Sequence, residues 1–129
     1  MISLNRTFTE GERPSIILFG DLVISEKYTP NPFSRELTQG IENSDLAVVN
    51  LEAPLNRGDP IRKDGPHLET ADETPDILAR SGFDLVCLAN NHMMDYDENG
   101  LKTTQEALSD QGLSTVGVGK NRDEAIQPE

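Results

Sequence analysis

Basic residues are scarce in this chain: 11 Lys and Arg stand against 23 Asp and Glu, for a formal charge of −12. A surface so acidic repels nucleic acid and anionic lipid, and no Lys/Arg cluster offsets it, so DNA or RNA is excluded as a partner. Cysteine is nearly absent. Cys87 stands alone, which rules out an intramolecular disulfide and suits a reducing compartment; its place inside an apolar run marks a core thiol rather than a nucleophile. No hydrophobic run approaches the roughly 20 residues of a membrane span, and the first twenty residues have no basic start followed by an apolar core. The expected location is therefore cytoplasmic. At 129 residues the chain is one domain of ordinary size, or part of one.

What the chain does have is three apolar runs that end in ligand-type side chains. Ile16-Ile17-Leu18-Phe19 leads into Gly20-Asp21, Leu46-Ala47-Val48-Val49 into Asn50-Leu51-Glu52, and Leu85-Val86-Cys87-Leu88 into Asn90-Asn91-His92, with Asp95 three residues on. Each run reads as a buried strand. In open α/β sheets the carboxyl ends of strands carry the sites, because the loops converge there. Asn50 and Glu52 are two apart, so on extended backbone they share a side while Leu51 takes the other. This is the pattern of a divalent-metal site, although Asp21 alone would pass as a turn residue. Asp95 is near enough to His92 to orient its ring.

Between the strands, Phe33, Leu37 and Ile41 lie on one helical face over 33–43. Thr74 is placed to cap a helix with Pro75 in its first turn and Gly82 as its stop. A further helix is predicted from Asp97 to about Gln111, followed by a short strand at Thr115–Val118. Residues 53–76 hold Pro54, Pro60, Pro66 and Pro75 and read as a long loop with a short hairpin, a length uncommon without a use. His67 follows Gly65-Pro66 on that loop and could reach a phosphate or carboxylate of a substrate, or simply be solvated. Gly117-Val118-Gly119-Lys120 is not a phosphate loop, because an earlier glycine is missing and Asn121 replaces the Ser or Thr. Residues 1–14 read as a polar lead-in, and 15–129 as an α/β domain with a mostly parallel sheet and flanking helices.

These residues resemble the capsule-synthesis, poly-γ-glutamate biosynthesis (CapA-type) family of the calcineurin-like metallophosphoesterase superfamily. The likeness runs through Phe19-Gly20-Asp21, Asp45 to Glu52 (D-L-A-V-V-N-L-E), Lys63 to His67 (K-D-G-P-H), Gly82 to Asp95 and Gly112 to Gly119. It implies the N-terminal half of an α/β/β/α sandwich. It further implies Asp21, Asn50, Glu52 and Asn91 as metal ligands, His92 as the catalytic acid with Asp95 beside it, and His67 and Asn90 on the substrate side. Val23 stands where the superfamily's first motif has His, and Asp97 where family members commonly have Gly. Family domains are longer and draw further His ligands from their C-terminal half, so this chain, with two His, is expected to be an N-terminal part.

Two functions follow from that resemblance. One is a metal-dependent hydrolase or transferase acting on a phosphoester or polymer substrate, with manganese, magnesium, iron or zinc as the ion. The other is a non-catalytic binding or assembly component of a polymer-synthesis complex. Either way an uncovered sheet edge or face predicts self-association or a complementing C-terminal half. Family members can be membrane-anchored, although this chain has no membrane segment.

Overall fold

In a computed structural model, residues 10–11, 13–28 and 32–128 are described. Most of the predicted lead-in, residues 1–14, lies outside them. Four strands, β1 (Ile16–Leu22), β2 (Leu46–Leu51), β3 (Leu85–Cys87) and β4 (Ser114–Val116), form one sheet in the order β1-β2-β3-β4. Every neighbouring pair is parallel. The connections carry α1 (Arg35–Glu42), α2 (Thr74–Arg80) and α3 (Asp97–Asp110), and a short α4 (Arg122–Ala125) follows β4.

Right-handed crossovers that always step in the same direction place α1, α2 and α3 on one face of the sheet. The core accordingly lies on that face. Ile41 of α1, Leu78 of α2 and Leu108 of α3 pack with Ala47, Val49, Leu51, Val86 and Leu88, all at most 1% exposed. Along β2 burial alternates: Ala47, Val49 and Leu51 are buried, while Leu46, Val48 and Asn50 on the opposite face are only half-buried. On β1 that opposite face is open, with Leu18 73% and Ile16 58% exposed.

Local sequence explains where the elements start and stop. Ser34 caps α1, its hydroxyl accepting the Leu37 N–H at 3.3 Å. Thr74 proves to be the first residue of α2 rather than its cap, because the preceding turn already continues into the helix. Its hydroxyl is buried against that of Thr70 at 2.8 Å. No hairpin forms in the 53–73 connection among the described residues. Its closure is a single parallel bridge, Leu55 to Thr70, and Thr104 of α3 accepts the Leu55 N–H at 2.9 Å. Three prolines, Pro54, Pro60 and Pro66, deny such a segment the paired N–H groups of a ladder.

The first strand runs three residues further than the apolar pattern suggested, and it contains a bulge. Leu18 pairs with Val48, yet the next pair is Asp21 with Asn50, so three residues of β1 advance against two of β2. In regular alternation Asp21 would share the helix-covered face with Ile17 and Phe19. The extra residue turns it to the open face, where Asn50 is.

Candidate functional site

All four strands being parallel, their carboxyl ends lie together. Asp21 and Asn50 each lie one residue from the end of β1 and β2, with Glu52 just beyond β2, and the Asn90–His92 segment follows β3. Asn50 is the joint between the first two: its Nδ2 donates to Asp21 Oδ1 at 2.7 Å and to Glu52 Oε2 at 2.8 Å. Carboxylates only accept, so the amide nitrogen must be the group facing them. Leu51, between Asn50 and Glu52, is fully buried on the other face.

Asn90 joins this group to the third strand. Its Nδ2 donates to the Leu51 carbonyl at 2.8 Å and to Asn50 Oδ1 at 3.3 Å, while its Oδ1 accepts the N–H groups of His92 and Met93, both at 3.0 Å. That pattern fixes the turn carrying His92, so Asn90 spends its amide on building the site. Asn91 is exposed at the same edge.

Asp95 is fully buried and accepts three donors. His92 Nδ1 and the Leu68 N–H reach Oδ2, both at 2.8 Å, and Lys63 Nζ reaches Oδ1. Burial alone would raise this carboxyl's pKa. The hydrogen bonds from Lys63, His92 and Leu68, with the Lys63 charge, outweigh burial and hold it below the usual value. Asp95 is therefore ionised, and His92 Nδ1 carries the proton of their shared bond. His67, expected on the substrate side, is half-buried, and its Nε2 donates to the Ile61 carbonyl at 2.7 Å. There it pins the loop that brings in Lys63 and Leu68.

Lys63 was not singled out among the candidate residues. It lies in the aperiodic 53–76 stretch, and only its place in the K-D-G-P-H segment marks it. The structure brings Asp21, Asn50, Glu52, Asn90, His92 and Asp95 into one connected network. As a cation site, the strand-end set offers two carboxylates without thiolate, which suits one hard ion, but Asn50, expected as a ligand, turns its Nδ2 to both carboxylates and its Oδ1 to Asn90, so in this arrangement it braces the carboxylates instead. Among the described residues no three His, Cys, Asp or Glu side chains group closely enough to hold a metal.

A parallel α/β sheet with flanking helices, carboxylates at the ends of two strands and an Asp-supported His after the third is consistent with a metallophosphoesterase-like domain. Comparison with known proteins narrows the class. Residues 6–129 match the family described as bacterial capsule synthesis protein PGA_cap, and the chain belongs to that family. The capsule biosynthesis protein CapA of Bacillus anthracis is 30% identical over 123 residues, covering 87% of this chain and 30% of that protein. The PGA biosynthesis protein CapA of Bacillus subtilis is 30% identical over 115 residues, 82% of this chain and 30% of its own length. An uncharacterized protein of Sinorhizobium fredii is 26% identical over 120 residues, 86% of this chain and 26% of its own. The chain thus spans about a third or less of the length of these curated relatives.

Proposed function

We propose that this chain carries the N-terminal part of a metal-dependent hydrolase or transferase centre of the metallophosphoesterase type, acting in poly-γ-glutamate or capsule polymer biosynthesis. The observation that supports this most is the continuous link, through Asn50 and Asn90, between two strand-end carboxylates and an Asp-supported imidazole. A divalent cation held by Asp21, Glu52 and Asn91, with Asn50 bracing both carboxylates through its Nδ2, would polarise a phosphoryl or carbonyl oxygen. Asp95 holds the His92 ring by Nδ1 and supports positive charge on it, so Nε2 is the nitrogen that passes a proton to the leaving oxygen. Asn90 keeps the His92 backbone in place while this happens.

The small number of carboxylates and imidazoles that converge favours a second reading, in which the chain binds or assembles a polymer-synthesis complex without turnover. Calorimetric titration with Mn²⁺, followed by assay of the loaded protein on bis(p-nitrophenyl) phosphate and on a γ-glutamyl peptide, separates the two. The hydrolase reading expects binding that Glu52→Gln weakens at least tenfold and, when the chain is assayed within a full-length domain, turnover that His92→Ala removes. Binding without turnover of either substrate would favour the assembly role. No binding at all would overturn the metal centre.

A further inference from the structure

The loop between β2 and α2 grips one carboxylate with two donors five residues apart. Leu68 supplies a backbone N–H to Asp95 Oδ2, and Lys63 supplies its ammonium to Oδ1. The Lys63 side chain is 20% exposed and that of Asp95 0%, so the pair is largely withdrawn from water. Lys63 Nζ also stands 3.3 Å from His92 Nδ1. Two donors at that separation are tolerated because both point their hydrogens at the same anion.

We propose that Lys63 is a positioning residue for His92: by occupying Oδ1 of Asp95 it fixes the carboxylate plane and leaves only Oδ2 to the imidazole. The terminal torsion of an aspartate is broad and roughly two-fold, so a carboxylate held on one oxygen alone can swing. With both oxygens engaged it cannot, and the ring that leans on Oδ2 is held in one rotation and one tautomer. The opposite tautomer would set a lone pair of Nδ1 against Oδ2 at 2.8 Å, two acceptors in contact. It would gain only the 3.3 Å approach of Lys63 in return. Lys63 also bonds nothing on the 21–52 side of the network in the hydrogen bonds observed, so its influence there runs through His92.

The inference rests on reading His92 as the proton-donating group of the site, but its test needs no turnover. The chain has only two histidines, and their bonds demand opposite tautomers: His92 donates through Nδ1 to Asp95 and His67 through Nε2 to Ile61. Long-range ¹H–¹⁵N spectra of the ¹⁵N-histidine-labelled protein, taken at about pH 8 where an ordinary imidazole is neutral, read both rings together. In the wild type His92 should be in the Nδ1–H form by at least about tenfold, the preference a charge-assisted bond confers. In Lys63→Met, with the carboxylate free to swing, the His92 Nδ1 proton should exchange with water at least about tenfold faster while His67 keeps its pattern, and Lys63→Arg should restore the slow exchange. A wild-type His92 in the Nε2–H form overturns the proposal without any variant. So does a Lys63→Met protein that melts at lower temperature with the His92 proton exchange unchanged, since Lys63 would then only fasten the loop. If Lys63→Met does not fold, Lys63→Gln is read in its place against the same two outcomes. Loss of Mn²⁺ binding or of turnover with these spectra intact would bear on the proposed reaction and leave the role of Lys63 standing.

Discussion

Asp95 links the β2–α2 loop to the His92 imidazole from a position with no exposure to water. Removing one partner of a buried, charged group strands the other, so Asp95→Ala should destabilise the protein by about 3 kcal/mol, read from urea unfolding midpoints. The pH dependence has a definite sign. Since the folded-state pKa of Asp95 is depressed, its stabilisation is fully present above the unfolded value of about 3.9 and is lost as pH falls through the lower folded value. Asp95→Asn should therefore lower stability at neutral pH and flatten the loss of stability on acidification below about pH 4. A wild type and variant with parallel acid profiles would show that Asp95 contributes no such linkage. Much of this was legible from residue types, since a His followed three positions later by Asp in a turn suggests their pairing. The third and fourth members were not, because Lys63 and Leu68 are about thirty residues away and nothing in their own stretch of chain points to Asp95.

At the scale of elements, the start of α3 shows how one backbone position shapes a sequence choice. Asp97 opens the helix with φ at 58°, in the left-handed region that glycine adopts most readily. Aspartate tolerates this conformation better than most residues and here also accepts the Asn99 N–H at 2.6 Å. Asp97→Gly should accordingly be close to neutral, the relief of strain offsetting the lost hydrogen bond. Asp97→Val, β-branched and without an acceptor, should lower stability by about 2 kcal/mol, measured by thermal unfolding. Equal melting points for the two variants would refute that account. Gly58 packs against the same turn so closely that a Cβ there would lie 1.8 Å from the Tyr96 carbonyl oxygen. The 53–73 loop is thus fastened at Gly58, Leu55, Lys63 and Leu68, which is why a segment without regular structure keeps the donors of Asp95 in register.

At the scale of the whole molecule, the outstanding feature is the open face of the sheet. Sequential strand order with same-handed crossovers leaves the face opposite the helices apolar, with Leu18 and Ile16 exposed and Leu46, Val48, Leu85, Cys87 and Val116 half-buried. Exposed apolar patches of this kind mark surfaces that pair with another layer. Asn50, hydrogen-bonded to both Asp21 and Glu52, lies at the rim of that face, so whatever covers it would also wall the site. The protein in solution is expected to self-associate or to hold a complementing segment there. Leu18→Lys should shift the mass measured by light scattering toward the monomer without changing the far-ultraviolet circular dichroism. A wild type that is already monomeric, with Leu18 open to solvent, would count against pairing through this face. No helix of the described residues is long and apolar enough to cross a membrane.

Taken by itself, the sequence determined the three strand ends that carry polar and charged side chains, the alternation of strand and helix, and the pairing of Asn50 with Glu52 on one side of β2. These follow from periodicity, which is local: apolar runs bounded by Gly, Asn and Asp specify a strand, and residues two apart on it share a face. Only the tertiary structure decided the rest. The bulge that turns Asp21 to the face of Asn50 depends on how β1 registers against β2, and an apolar run carries no record of its partner's register. The capture of Asp95 by Lys63 and Leu68 depends on where a proline-rich loop comes to rest, and its irregular backbone leaves no period to read. The open face likewise follows from the order in which four similar strands lie side by side, which crossover handedness settles across the whole chain.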